Sequence, residues 1–225
     1  MKTTLFLLIS LDGKISTGAV DDRDFDKDLP HLPGVAEGLH QYYDIEKTTD
    51  WYSFITGKVL AKIGWNDPNK LIEKSPVRFV VVDNLPHLTT QGVENLLARF
   101  ERLYIVTTNS RHPASTMNDP RLEVVQYQGE IDFRNLFGRL ERQGAKAMTV
   151  QSGGDMNAEL LRAGLIDEVM LVVAPVLVGG CGTPSLIGGK SLVSDKDLGM
   201  IQTLEIIESR VLNDNYLLLR YKVRP

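Results

Sequence analysis

The residues best suited to chemistry in this chain come directly after apolar runs. Ser10, Asp12 and Lys14 follow the first run, residues 3–9, and bring a hydroxyl, a carboxylate and an amine close together. If this run is a strand of an open α/β sheet, the three groups lie at its carboxyl edge, where such sheets bind ligands. Asp12 can accept hydrogen bonds from hydroxyl groups or relay a proton, and Lys14 can pair with a phosphate. The alternative is a solvated Asp-Gly turn without a functional role.

A pair of glycines, Gly153 and Gly154, lies between the apolar run 147–150 and a segment with helical spacing that ends near Gly164. A tight turn that opens a helix presents unpaired N–H groups and the positive end of the helix dipole, which together suit a phosphate or pyrophosphate. Neither G-x-G-x-x-G nor G-x-x-x-x-G-K-[ST] occurs, so the pair is equally compatible with a structural turn.

A polar run that follows the apolar residues 103–106 could bind a second anionic group. The run is residues 107–111 and reads Thr-Thr-Asn-Ser-Arg. Its hydroxyl groups and guanidinium form a set that suits the 2′-phosphate of a cofactor ribose. The alternative is a polar turn that carries one surface arginine.

The elements that must position these residues alternate between strand and helix, which is typical of a mostly parallel α/β sheet. The predicted strands are residues 3–9, 51–55, 77–82, 103–106, 122–127, 147–150 and 166–173. The predicted helices are residues 35–49, a segment for which Thr56 is the N-cap, residues 89–100 and 131–143, and a segment that begins after the glycine pair.

Three segments fall outside this alternation. Residues 17–33 are acidic and contain two prolines, which favours an irregular loop over a site. The glycine-rich residues 175–189 could be a binding loop or a long connection. Residues 201–211 and 216–223 are predicted to form an antiparallel hairpin across the turn-forming residues 213–215.

Composition limits the classes of function. A chain of 225 residues with 43% hydrophobic content can form a single α/β domain over residues 1–225. The net charge of −4 argues against nucleic acid as a partner. The only cysteine, Cys181, excludes an internal disulfide and fits a cytoplasmic protein. The four histidines show no metal-ligand spacing, no G-x-S-x-G occurs, and no apolar run has transmembrane length, so we expect no metal and no membrane.

Three strings resemble one family. Residues 153–180, GGDMNAELLRAGLIDEVMLVVAPVLVGG, resemble the reductase domain of riboflavin biosynthesis, a branch of the dihydrofolate reductase-like superfamily in which a Gly-Gly turn contacts NADPH. SLDGKI, residues 10–15, resembles the segment that opens these reductases and lies against the substrate. ITGKVLAKIG, residues 55–64, resembles a strand-to-helix turn beside the cofactor pyrophosphate.

This resemblance implies a fold, a reaction and a cofactor. The implied fold is a dihydrofolate reductase-like mixed, mostly parallel sheet with helices on both faces and a C-terminal antiparallel hairpin. The implied enzyme is an NADPH-dependent 5-amino-6-(5-phosphoribosylamino)uracil reductase-like homodimer, which reduces a phosphoribosylamino-pyrimidine to its ribitylamino form. The nicotinamide delivers hydride to the sugar C1′ after ring opening, and the protein mainly orients the two molecules.

The resemblance also assigns residues. The substrate would contact Ser10, Asp12 and Lys14, with Asp12 as the catalytic residue. Together with the polar run 107–111, the resemblance gives three turns whose residues would contact the cofactor: Gly57, Lys58, Thr107, Thr108, Ser110, Arg111, Gly153, Gly154, Asp155, Met156 and Asn157. The Gly153–Gly154 peptide bond is expected to be cis.

The chain departs from the family pattern at three positions. The family usually has a hydroxyl residue near Leu60, and its riboflavin branch has an aspartate near Gly64 and often a glutamate at Gln151. Two alternatives therefore stay open. One is a sister reductase that acts on dihydrofolate or another pterin, and the other is a degenerate, nucleotide-binding member without this activity.

Overall fold

A regular alternation of strands and helices extends through most of the chain, of which this computed structural model describes residues 1–224. In chain order, the elements are β1 (Lys2–Ser10), α1 (Phe25–Asp28), α2 (His40–Glu46), β2 (Tyr52–Thr56), α3 (Gly57–Lys62), β3 (Ser75–Val82), α4 (Thr90–Arg99), β4 (Phe100–Thr107), β5 (Leu122–Gln126), α5 (Phe133–Arg142), β6 (Ala147–Val150), α6 (Gly154–Arg162), β7 (Glu168–Ala174), β8 (Leu204–Val211) and β9 (Leu217–Val223). Residues 1–224 contain no helix with the length and apolar character that crossing a membrane requires.

The chain divides into two compact units. Unit 1 comprises Met1 and residues 50–152, and unit 2 comprises residues 2–49 and the chain from residue 153 onwards. In unit 1 the strand order is β5-β4-β3-β2-β6, and every described pairing in it is parallel. The connections through α3, α4 and α5 carry the chain back between these strands, as parallel pairing requires.

Alternation of side chains places helices on both faces of the unit 1 sheet. Ile55, Val81 and Ile105 are in register on neighbouring strands and belong to one buried cluster with Val93, Leu96 and Leu97 of α4. The next residue back along β2, Phe54, points to the opposite face because side chains of a strand alternate. There its ring lies 6.2 Å from that of Phe133 and 5.9 Å from that of Phe137, both in α5.

Unit 2 combines parallel and antiparallel pairing. β1 pairs in parallel with β7, β9 lies antiparallel to β7, and β8 lies antiparallel to β9. Phe6 of β1 and Val172 of β7 are buried in one cluster with Tyr42 of α2, whose ring stacks on Phe6 at 5.0 Å. The mostly parallel α/β fold with a C-terminal antiparallel hairpin, which the sequence predicted, is confirmed.

Two local expectations were wrong. Residues 17–33 are not wholly irregular, because Asp24 accepts a hydrogen bond from the Asp26 N–H and caps the short helix α1. Residues 35–49 do not form one helix: a 3₁₀ turn, Ala36–Gly38, precedes α2, and a Cβ atom on Gly38 would lie 2.6 Å from the Tyr216 ring. The predicted N-cap of α3 is confirmed, since Thr56 occupies that position with an extended backbone, and its side chain makes no capping hydrogen bond.

The hydroxyl of Tyr216 provides a test of this packing in unit 2. Tyr216 is fully buried, and its hydroxyl donates to the Val35 carbonyl at 2.7 Å. Tyr216→Phe removes this buried hydrogen bond, and we expect the free energy of unfolding to fall by about 1 kcal/mol in urea titrations. Tyr221→Phe, at a partly exposed position on β9, is the control and should stay within about 0.5 kcal/mol of the parent protein. Equal effects at the two positions would contradict the role of this hydrogen bond.

Candidate active site

Ser10 and Asp12 organise the turn after β1 in unit 2. Ser10 is fully buried, and its hydroxyl donates to Oδ1 of Asp12 at 2.5 Å while accepting from the Lys14 N–H at 2.8 Å. Gly13 has a φ of 76°, a left-handed conformation that glycine adopts without strain. Ser10, which was expected to contact the substrate, therefore positions Asp12 and Lys14.

The carboxylate of Asp12 holds the residues that follow β7. It accepts from the Val178 N–H at 3.1 Å and from the Gly179 N–H at 2.6 Å. The Ser10 hydroxyl, followed by these two N–H groups, lowers the pKa of Asp12 to about 2. A carboxylate with this pKa stays ionised near neutral pH and is a poor proton relay. The geometry thus opposes the catalytic role expected for Asp12 and favours a positioning role.

Lys14 contacts the same glycine-rich loop, which we define as residues 175–189. Its Nζ donates to the carbonyl oxygens of Gly180 at 2.9 Å and Thr183 at 3.1 Å. The neighbouring backbone adds hydrogen bonds from the Ile15 N–H to the Pro184 carbonyl and from the Leu186 N–H to the Gly13 carbonyl. An ammonium group has three N–H donors, so two carbonyls leave one for a ligand.

The first turn of α6 holds the other end of the glycine-rich loop. Asp155 Oδ1 accepts from the Gly189 N–H at 2.7 Å, and Asn157 Nδ2 donates to the Leu186 carbonyl at 2.8 Å. Asn157 is fully buried. These two side chains, which were expected to contact the cofactor, therefore bind the loop. The sequence left open whether residues 175–189 are a binding loop or a long connection, and the structure shows that side chains from two turns hold both ends of the loop.

The two glycines at the start of α6 differ in their surroundings. A Cβ atom on Gly154 would overlap the Ser185 carbonyl oxygen, whereas a Cβ atom on Gly153 would have nothing within 4 Å. Glycine at 154 is thus required by the glycine-rich loop, and Gly153 is the one with open space for a ligand. All peptide bonds of the described residues are trans, so the expected cis bond between Gly153 and Gly154 was wrong. Met156, in the same turn, is half-buried.

In unit 1, Gly57 and Lys58 begin α3 beside Asp83. A Cβ atom on Gly57 would overlap the carboxyl group of Asp83, so a glycine is needed for β2 to pass into α3 at this point. Lys58 is exposed. Both residues were expected to lie near the cofactor pyrophosphate. The contact with Asp83 explains why residue 57 is a glycine whether or not a ligand binds there.

The residues after β4 divide into those used by the fold and those left for a ligand. Thr107 is buried, and its hydroxyl donates to the Asp83 carbonyl at 2.8 Å and accepts from the Asn109 N–H at 3.0 Å. Its expected contact with the cofactor through this hydroxyl is therefore disfavoured. Ser110 and Arg111 are exposed and Thr108 is half-buried. Within residues 1–224 the Arg111 guanidinium makes no hydrogen bond or ion pair, so it fits an anionic cofactor group.

Sequence reasoning missed a buried carboxylate, Asp83, at the end of β3. It accepts hydrogen bonds from the rings of His87 and His112 and from the N–H groups of His87 and Leu88. Burial raises the pKa of Asp83, but the hydrogen bonds from His112, Leu88 and His87 outweigh burial and hold it below the usual value. An aspartate that ends an apolar run was the only available signal, because His112 is remote in the sequence.

The histidines do not form a metal site with other ligands. In the part of the chain that the structure describes, no group of three or more His, Cys, Asp or Glu side chains could hold a metal ion. The donors suited to an organic anion are instead Lys14 in unit 2, and Thr108, Ser110 and Arg111 in unit 1.

Comparison with known proteins identifies similar sequences. The family model described as the RibD C-terminal domain matches residues 1–218. The 2,5-diamino-6-ribosylamino-4(3H)-pyrimidinone 5′-phosphate reductase of Aquifex aeolicus is 33% identical over 131 residues, which is 56% of this chain and 56% of that protein. The protein of the same name from Methanothermobacter thermautotrophicus is 25% identical over 230 residues, 96% of this chain and 95% of that protein.

Comparison with solved structures agrees on the fold. Acinetobacter baumannii RibD, form 1, has a TM-score of 0.65 and 15% identity, and the match covers 100% of this chain and 58% of that one. The match thus covers little more than half of the Aquifex and Acinetobacter proteins. This likeness shows the dihydrofolate reductase-like α/β fold that the sequence predicted. Because the family model covers nearly the whole chain and the fold agrees with it, the protein belongs to the RibD C-terminal domain family.

Proposed function

We propose that this protein is an NADPH-dependent reductase of riboflavin biosynthesis that converts a phosphoribosylamino-pyrimidine into its ribitylamino form. The observation that carries the proposal is the match to the Methanothermobacter reductase, which covers 96% of this chain and 95% of that protein. The match of the family model to residues 1–218 without a break also supports one reductase domain over residues 1–225.

The reaction needs a hydride and a proton. Opening of the ribose ring gives an imine at C1′, and the nicotinamide, when bound, supplies the hydride that adds to this carbon while the nitrogen takes up a proton. The protein contributes binding and orientation, which raise the effective concentration of the reacting groups. We assign no proton transfer to Asp12, because its pKa of about 2 leaves it without a proton to give near neutral pH.

The substrate half of the proposal rests on the turn after β1. Lys14 has one N–H donor beyond those that bind Gly180 and Thr183, and that donor can bind a sugar hydroxyl or a phosphate. Asp12 is exposed and can accept from a sugar hydroxyl while it holds the glycine-rich loop. Ser10 supports both residues from a buried position.

The cofactor half of the proposal rests on residues at the strand exits of unit 1. In unit 1, Arg111 is the proposed contact of the 2′-phosphate, with Thr108 and Ser110 beside it in the sequence and Lys58 as a contact of the pyrophosphate. A guanidinium binds a phosphate with two parallel hydrogen bonds. Arg111 would therefore favour binding of NADPH, which has the 2′-phosphate, over NADH, which lacks it.

Two of the three departures from the family pattern have structural roles here. Leu60 is 1% exposed and belongs to the buried cluster beneath α4. Gly64 has a φ of 82°, which a residue with a side chain adopts only with strain. Their positions are therefore compatible with an active reductase, and they do not favour the degenerate alternative.

An exposed apolar surface in unit 2 supports the proposed homodimer. β8 has only β9 as its described partner, and its Ile206, Ile207 and Val211 are 57%, 48% and 77% exposed. Leu198, Met200 and Ile201, just before β8, are also exposed. An edge strand with this many exposed apolar side chains is prone to associate unless it is covered. We propose that a second copy of the chain covers β8.

The function is tested by a substrate screen. Oxidation of NADPH and NADH is followed with 2,5-diamino-6-ribosylamino-4(3H)-pyrimidinone 5′-phosphate, with its deaminated uracil counterpart, and with dihydrofolate. We expect turnover with one of the two pyrimidines and NADPH, slower turnover with NADH, and none with dihydrofolate. Turnover only with dihydrofolate would support the sister-reductase alternative, and NADPH binding without turnover would support the degenerate one.

The positioning role of Asp12 predicts a specific pattern in Asp12→Asn. Loss of the charge weakens the hydrogen bonds to Val178 and Gly179, so the amide hydrogens of these two residues should exchange with solvent at least about threefold faster. Turnover should fall while the shape of the pH–rate profile between pH 5 and 9 stays unchanged. Asp22→Asn, at an exposed position, should match the parent protein in both measurements. An acidic limb that disappears in Asp12→Asn would instead identify Asp12 as a proton relay.

The proposed homodimer predicts the effect of a charge on β8. Ile206→Lys should convert a dimer, of twice the 25.1 kDa chain mass, into a monomer by light scattering, because the lysine would be buried at the interface. Leu71→Lys is the matched control, since Leu71 is 95% exposed and lies in unit 1. A parent protein that is monomeric at micromolar concentration would rule out the dimer.

A further inference from the structure

Asp83 joins two turns of unit 1 through its buried carboxylate. The residue is 1% exposed. Its Oδ1 accepts from the N–H of His87 at 3.1 Å and lies 3.0 Å from Nδ1 of the same residue. Its Oδ2 accepts from the Leu88 N–H at 3.0 Å and lies 3.0 Å from Nε2 of His112. Four hydrogen bonds occupy this carboxylate, so it is not available to a ligand.

The two contacts of the His112 ring determine which of its nitrogens carries the hydrogen. Nδ1 accepts from the Ala114 N–H at 3.1 Å, so Nε2 carries a hydrogen and donates it to Asp83. His112 is 1% exposed. Because Arg111 directly precedes His112, the bond to Asp83 fixes the backbone from which the Arg111 guanidinium extends.

His87 is oriented by the same carboxylate but is open to solvent. Its Nδ1 donates to Asp83, and its side chain is 36% exposed. Within the described residues, Nε2 makes no hydrogen bond. An imidazole held by a carboxylate through one nitrogen presents the other nitrogen to a ligand in a fixed direction.

The turn that carries His87 lies beside the turn that carries Arg111. β3 pairs with β4, and Asn84 after β3 accepts a hydrogen bond from the Thr108 N–H after β4 at 2.9 Å. On its other side β3 pairs with β2, whose exit residue Gly57 packs on Asp83. The exit of β3 thus lies between two turns that the proposed function assigns to the cofactor.

We propose that His87 binds the 2′-phosphate of NADPH together with Arg111, and that Asp83 is the positioning residue for both. The proposal rests on the proposed function, because it deepens the assignment of Arg111. A dianionic phosphate is bound best by more than one charged donor, and His87 is a second candidate donor at this edge that is held in place by hydrogen bonds. His112, although bound to the same carboxylate, is buried and positions the backbone of Arg111.

The test measures the affinities of the purified protein for NADPH and NADH by calorimetry. We expect His87→Gln and Arg111→Ala each to raise the Kd for NADPH about tenfold or more, and to leave the Kd for NADH nearly unchanged. The fragments 2′,5′-ADP and 5′-AMP should show the same difference. His31→Gln, at an exposed histidine in unit 2, is the control and should change neither affinity. His87→Lys should keep part of the preference for NADPH, because it keeps a cation.

The outcomes separate this proposal from the one on which it rests. A parent protein that binds neither cofactor would overturn the proposed function. A parent protein that prefers NADPH, with the preference lost in Arg111→Ala but kept in His87→Gln, would overturn the role of His87 alone. Equal weakening of both cofactors in His87→Gln, with no rescue in His87→Lys, would show a packing role and would also overturn it.

Discussion

The structure depends on aspartate carboxylates that accept backbone N–H groups near the carboxyl ends of strands. Asp12 follows β1 and binds the N–H groups of Val178 and Gly179, and Asp83 follows β3 and binds those of His87 and Leu88. Hydrogen bonds to a charged acceptor are stronger than neutral ones, and they favour the ionised carboxylate. In each unit, the aspartate carboxylate therefore orders the loops around a candidate site. Its charge and its position would also fit a catalytic group.

This use of carboxylates explains why the positions of site residues were easier to predict than their roles. The runs before Ser10 and Thr107 identified the strand ends correctly, because strand and helix patterns are local. Whether Asp12 is free or bonded depends on residue 178, which is distant in the sequence and adjacent only in the fold. The role of Thr107 also depends on a contact that only the fold creates, because its hydroxyl donates a hydrogen bond to the Asp83 carbonyl. Sequence spacing carries no information on such contacts.

For the glycines, too, the sequence predicted the position better than the role. The sequence predicted a tight turn at Gly153 and Gly154 that suits either a phosphate or a purely structural role, and the structure shows a close approach of the Ser185 carbonyl to Gly154. Which partner makes the approach could not be predicted, since a glycine required by a neighbouring loop and one required by a ligand look alike in a single sequence. The alternation of strands and helices and the terminal hairpin were predictable because periodicity and turn residues determine them locally.

The close packing of α6 on the glycine-rich loop has a consequence for how these sequences can change. Gly154 has no room for a side chain because of the loop, and a Cβ atom on Gly188 would lie 2.5 Å from Oδ1 of Asp155 in the helix. Each segment thus excludes side chains from the other. If the loop is replaced by that of a relative, the first turn of α6 has to be replaced with it. Substitutions in the two segments should therefore occur in pairs. A protein engineer who wishes to alter this loop has to treat helix and loop as one exchangeable module.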